Sequence, residues 1–296
     1  MLFLIYSMIA CGVVVMVTNI CRYHLFMRSL RDVLSSGRDK DTFWKILAQL
    51  LLIFFLCGYI FIGVFSNPDL MIAGILFGGS IFVAIMLTLL FHLVQSVKEN
   101  SLEMTQTLIG MIEARDTNLN GHSRYVQNLT MLFYKYIPEN LKKDINPVSL
   151  EYAALMHDVG KLGVPERVLN KPGKLDDEEW KLMREHPKLG VKFMEPLRSF
   201  KRILPWIMYH HERVDSAGYY RLPGKEIPLA ARIISICDTY SAITMRRSYK
   251  EAMSYDVAMQ IINDVAGTQL DADLVRIFNT ISREQLEKCI PAELKN

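Results

Sequence analysis

Five of the chain's seven histidines fall in short segments beside Gly, Pro or a charged residue, most of them at the end of an apolar run. The segments are "NGHSRYV" with His122, "ALMHDVGKLG" with His157, Asp158 and Lys161, and "REHPKLG" with His186. "WIMYHHERVDSAGYYRLPGKEIP" follows with His210 and His211, and "ISICDTYSA" with Asp238. Imidazole and carboxylate without thiolate suit iron, manganese, zinc or similar ions. His157 and Asp158 place a nitrogen ligand and a carboxylate side by side, and one carboxylate can bridge two ions. A two-ion site suits in-line attack on a phosphoryl group. Lys161 lies about one helical turn beyond Asp158, where an ammonium can offset charge on phosphate oxygens or a leaving group. The competing reading is a set of core or surface histidines unrelated in space.

These segments need a scaffold. Apolar residues after about residue 105 recur at three and four, as in Leu129, Leu132 and Phe133 or Ala258, Ile261, Ile262 and Val265. That spacing predicts helices. Long alternating β-branched runs are absent, so the expected fold class is all-α.

Before residue 95 the character changes. The chain has 296 residues, 51% hydrophobic, with a mean hydropathy of +0.16, and the apolar excess sits in this first part. Leu2–Ile20, Ile46–Phe65 and Leu70–Val94 are each long enough to cross a bilayer. The first lacks a basic leader and runs past any plausible cleavage site, so an uncleaved helix is expected. Arg22, Arg28, Arg31, Arg38, Lys40 and Lys45 crowd the first loop, and Ser66-Asn67-Pro68-Asp69 carries no basic residue. The positive-inside bias places the first loop and everything after Val94 in the cytoplasm, with no folded extracytoplasmic domain. Gly74 and Gly78 form a G-x-x-x-G pattern that would admit a close helix neighbour.

The expected organisation is a membrane region over 1–94, a connecting helix over 95–104 and a site-bearing domain over 105–296. Val94, Val97, Ser101, Met104, Leu108 and Met111 make a heptad-like seam on that connector. Packing on the domain's own core is the preferred reading, with a homodimeric signalling helix as the alternative. A net charge of +3 with no basic, aromatic-interleaved stripe argues against nucleic-acid binding. Cys11, Cys21, Cys57, Cys237 and Cys289 form no C-x-x-C pair, which excludes a thiolate zinc site.

The segments "EARDTNLNGHS", "HDVGKLGVPERVLNKPGKLDDEEW", "EHPKLG", "HHERVDSAGYY", "KEIPLAARIISICDTYSAITMRRSYKEA" and "AGTQLD" resemble, in order and spacing, the HD-GYP family of metal-dependent phosphohydrolases. The resemblance covers roughly residues 105–280. It implies an all-helical fold, a metal centre and hydrolysis of cyclic di-GMP to pGpG or GMP; with the three spans the expectation is an inner-membrane enzyme, with a GGDEF-type protein as the candidate partner. By position it implies metal ligation by His122, His157, Asp158, His186, His210, His211 and Asp238, with Asp158 as bridge and Lys161 beside it. Arg247 and Lys250 match residues that hold substrate phosphates. Asn118 stands where some members carry a third-metal Glu, so two divalent ions, iron or manganese, are expected. The chain departs from the family at Val214, Ser216, Ala217, Tyr220 and Ser248, where Trp, Gly, Gly or Ser, Pro and Pro are usual, so the GYP signature reads GYY. A remodelled loop affecting recognition, with metal geometry independent of it, is the expectation. Phosphohydrolysis of another nucleotide and a non-catalytic interaction module are the alternatives.

Overall fold

The computed structural model describes residues 1–31, 40–115, 121–245 and 251–294. They form two compact units, Met1–Ser101 and Leu102–Asn296. No strand occurs among the described residues; an isolated β-bridge joins Ala266 and Leu270. The chain is all-α, as its periodicity predicts.

The first unit holds α1 (Leu2–Arg31), α2 (Lys40–Phe65) and the start of α3 (Leu70–Glu113). Within them Leu2–Met27, Ile46–Phe65 and Leu70–Gly110 are long and apolar enough to cross a membrane. Phe54, Phe61 and Phe82 project outward, each at least 60% exposed, as lipid-facing side chains would. Polar groups inside the unit are paired. The Tyr59 hydroxyl donates to the Leu76 carbonyl at 2.6 Å and the Asn19 amide donates to the Ser80 carbonyl at 3.2 Å. Such pairing is required where water cannot supply partners. The close helix approach falls at Gly12, where a Cβ would lie 3.0 Å from the Tyr59 ring; Gly74 and Gly78 have no neighbour within 4 Å.

The second unit takes the end of α3 and continues through α4 (His122–Tyr136), α5 (Pro147–Met156), α6 (Glu166–Leu169), α7 (Asp177–Arg184) and α8 (His186–Met194). It closes with α9 (Leu204–Met208), α10 (Leu229–Thr244), α11 (Tyr255–Asp264), α12 (Ala272–Phe278) and α13 (Arg283–Lys288). Leu129 and Phe133 of α4, Leu150 of α5, Ile234 of α10 and Phe278 of α12 are sealed in one core. Phe133 and Phe278 meet edge to face at 5.1 Å, a favoured aromatic geometry.

α3 is continuous through the predicted connector, but the seam does not pack as expected. Val97, Met104 and Leu108 are 61%, 70% and 58% exposed. Leu102 and Ile109 on another face of the helix meet the core instead. A helix that borders a core on one side cannot also bury a stripe rotated away from it.

Candidate metal centre

His157 is where α5 ends. Asn146 caps the helix by accepting from the Ser149 N–H at 2.8 Å, and Pro147 follows in its first turn, both favourable starts. The chain then leaves the α-helix at Asp158 (φ −99°, ψ 6°) and tightens into a 3₁₀ turn over Val159–Gly163. This turn packs against α8, which begins at His186. The approach demands glycine at 160, where a Cβ would lie 1.7 Å from the His186 carbonyl oxygen. His210 and His211 follow α9, and Asp238 sits mid-way along α10 with Ser241 one turn on.

These elements converge. His186 Nε2 lies 3.1 Å from Asp158 Oδ1, and His210 Nε2 lies 3.9 Å from the same oxygen. His157 Nε2 and His122 Nε2 lie 3.4 Å and 4.0 Å from Asp158 Oδ2. His122 Nε2 is also 3.2 Å from Asp238 Oδ1. The His211 ring packs 4.0 Å from that of His210 and 5.0 Å from that of His186, centroid to centroid. Lys161 Nζ donates to Asp158 Oδ2 at 2.6 Å.

The rings are oriented from behind. Nδ1 of His157, His186 and His210 donates to the carbonyls of Ala154, Met183 and Ile207 at 2.7, 2.8 and 2.6 Å. A carbonyl only accepts, so in the neutral ring Nε2 is left as a lone pair aimed inward, the arrangement of metal-ligating imidazoles. Lone pairs then face carboxylate oxygens. His157 Nε2 and Asp158 Oδ1 are buried without a hydrogen-bond partner. Buried acceptors turned on one another call for a cation, so the residues fit the metal that the segments imply.

Donor atoms within 4.8 Å of one another fall into two groups, Asp158 with His186, His210 and His211, and Asp158 with His122 and His157. Asp158 belongs to both.

The charges agree. Burial alone would raise Asp158, but Lys161 and His157 outweigh it and hold the carboxyl well below its usual range. Asp238 is likewise held low by His122 and His157 against burial. Burial, then the neighbouring histidines, lowers His210 well below 6.5 and His211 to about 3. His157 is the exception: burial is outweighed by Asp158 and Asp238, which raise it to about 9. The two carboxylates bind a positive charge, either a proton or a cation.

All seven predicted metal ligands and Lys161 meet here. Arg247, Lys250, Ser248 and Asn118 lie outside the described residues. A cavity of about 360 Å³ opens beside His211 and Asp238, lined also by Arg213, Tyr219, Thr239 and Gln269.

The loop is not set apart in space from the ligands, as its expected independence would require. Glu212, 3% exposed, follows His211 directly and accepts from the Tyr220 N–H at 2.6 Å and the Leu222 N–H at 2.7 Å. The Tyr219 ring lies 4.8 Å from that of His211. The loop folds back onto the ligands because a buried carboxylate beside them needs its donors. Sequence reasoning missed Glu212, and Ser241, whose hydroxyl contacts His122 Nδ1 at 3.0 Å. Glu212 adjoins the His pair, but its burial is a tertiary fact.

The HD domain family matches residues 99–274, the stretch that carries these elements. The chain belongs to the HD domain family. It is 35% identical over 174 residues to 3'3'-cGAMP-specific phosphodiesterase 3 of Vibrio cholerae, a match covering 58% of this chain and 37% of that one. It is 34% identical over 191 residues to a cyclic di-GMP phosphodiesterase of the same organism, covering 60% and 39%. With a cyclic di-GMP phosphodiesterase of Thermotoga maritima it shares 30% over 187 residues, covering 62% and 50%. The chain thus spans half or less of the length of these relatives.

Proposed function

We propose that the protein is a membrane-anchored, metal-dependent phosphodiesterase that hydrolyses cyclic di-GMP to pGpG or GMP. Residues 105–296 form its catalytic domain, on the cytoplasmic side of the inner membrane, behind a membrane region over 1–94. The observation that carries the reading is Asp158, shared by two groups of inward-facing donors and paired with Lys161. His122, His157 and Asp238 would hold one divalent ion, His186, His210 and His211 a second, and Asp158 both. Iron or manganese suits that donor set. Bound divalent ions supply Lewis-acid polarisation of a phosphodiester.

The chain's own groups do the rest. Lys161 brings an ammonium to the edge of the cluster, where it offsets charge on the phosphodiester. The adjoining cavity receives the nucleotide, and Arg247 and Lys250 hold its phosphates. The exposed seam of Val97, Met104 and Leu108 supports a homodimer through α3, and a GGDEF-type protein is the proposed signalling partner.

A second reading has its own support. The remodelled loop and the 35% identity to a 3'3'-cGAMP-specific enzyme favour a different cyclic dinucleotide. Turnover by the full chain in detergent with Mn²⁺, on cyclic di-GMP, 3'3'-cGAMP and linear nucleotides, separates the two. Cyclic di-GMP should be consumed fastest. Preference for 3'3'-cGAMP selects the second reading, and no turnover of either sinks both.

A further inference from the structure

Glu113 is the last residue of α3 and is 7% exposed. Its carboxylate reaches across to the start of α4. One oxygen accepts from the Gly121 N–H and the other from the Ser123 N–H, each at 2.8 Å. These two donors flank His122. Gly121 is the cap residue of α4, with φ +74°, and has no side chain to cap with. Glu113 supplies the missing acceptor from another helix, and its charge lies at the positive end of the α4 dipole. The His122 ring is thereby held at its root by Glu113 and at its tip by Ser241 and Asp238.

The residues beyond α3 act on a second part of the centre, the turn after Asp158. The Arg115 guanidinium donates to the Leu162 carbonyl at 2.5 Å and to that of Val164 at 3.4 Å. Asn170 donates back to the Arg115 carbonyl at 2.9 Å. Leu162 directly follows Lys161, so the same end of α3 secures both the His122 helix and the turn that carries Lys161.

We propose that Glu113 is a positioning residue of the metal centre, fixing His122 by capping α4 from the last turn of α3, with Arg115 steadying the Lys161 turn. This rests on the metal-centre reading above. A displacement of the last turn of α3 would withdraw the cap and loosen His122 without touching any ligand, which gives the centre a point of control outside itself.

The test uses the full chain in detergent, wild type against Glu113→Gln, with Glu151→Gln as control. Glu151, on α5, accepts from Gln127 of α4 at 3.1 Å, away from the start of α4. Three quantities are read: Mn²⁺ affinity by calorimetric titration, amide exchange over residues 121–126, and the thermal midpoint. Glu113→Gln should weaken Mn²⁺ binding by about tenfold or more and speed exchange over 121–126, while Glu151→Gln changes neither. Wild-type affinity and exchange in a folded Glu113→Gln protein overturn the proposal. Should that variant fail to fold, Glu113→Asp keeps the charge on a shorter arm and should show the same changes in smaller degree; unchanged values there overturn it. If the wild type binds no Mn²⁺, the metal reading falls. The exchange comparison then still decides the cap on α4.

Discussion

Asp158 is the residue on which most of the centre turns. Its oxygens face four imidazoles and the Lys161 ammonium. Asp158→Ala should remove the bridge, dropping metal content from about two ions per chain towards none and abolishing turnover; elemental analysis with near-normal metal and activity would show the site to be misassigned. Ser216 makes a different point. It stands where the resembling family carries Gly, and its φ of +62° lies in the left-handed region. An L-residue there costs roughly 1–2 kcal/mol relative to glycine, so Ser216→Gly should raise stability by about 1 kcal/mol. Urea unfolding measures it, and a destabilised variant would mean the serine side chain is held by something stronger than this strain.

At the scale of elements, two junctions set the geometry. The 3₁₀ turn after Asp158 meets α8 at Gly160, and the clash with the His186 backbone leaves no room for a methyl. Backbone cannot yield as a flexible side chain does. Gly160→Ala should therefore part the turn from α8 and separate Asp158 from His186, costing about 1–3 kcal/mol and weakening Mn²⁺ binding. A variant with unchanged metal affinity would show that the junction gives way elsewhere. The second junction is the loop on Glu212. Tyr220→Pro removes one of the two donors to a buried carboxylate, and an unmet buried acceptor costs about 1–3 kcal/mol. The loss should appear in both the unfolding free energy and Mn²⁺ affinity, since Glu212 adjoins His211. A change confined to substrate KM would instead restore the separation of loop from ligands.

For the molecule as a whole, stability should follow pH as a dome when metal is chelated. His210 and His211 are depressed, the latter to about 3, by burial and then by neighbouring histidines, His211 acting on His210 and His186 on both. The unfolded chain binds protons at these imidazoles below 6.5, and the folded chain resists them. Stability is therefore lost as pH falls from 6.5 towards 3. His157, raised to about 9, works in the opposite sense. Its contribution is fully present below 6.5 and disappears as pH rises through about 9. Urea midpoints of the protein in EDTA, measured across this range, should peak between the two flanks. A flat profile would mean that the cluster does not hold these charges.

The fold class was legible in the sequence because helical periodicity and uncharged runs are local properties, and the sequence also offered the candidate donors. His122, His157, Asp158, His186, His210, His211 and Asp238 sit in short segments whose residue types already restrict the chemistry, and folding brings them to one place. The seam on α3 could not be resolved in the same way. Val97, Met104 and Leu108 have the spacing of a buried stripe, but which face of a helix meets a core depends on what lies beside it, and that face carries Leu102 and Ile109. Glu113 and Glu212 were hidden for a related reason. Each reads as an ordinary surface acid, and only tertiary packing buries it against backbone donors from another segment. Sequence determines which groups are available and the local shape that carries them. Burial, and the hydrogen bonds that burial makes obligatory, arise only when distant segments meet.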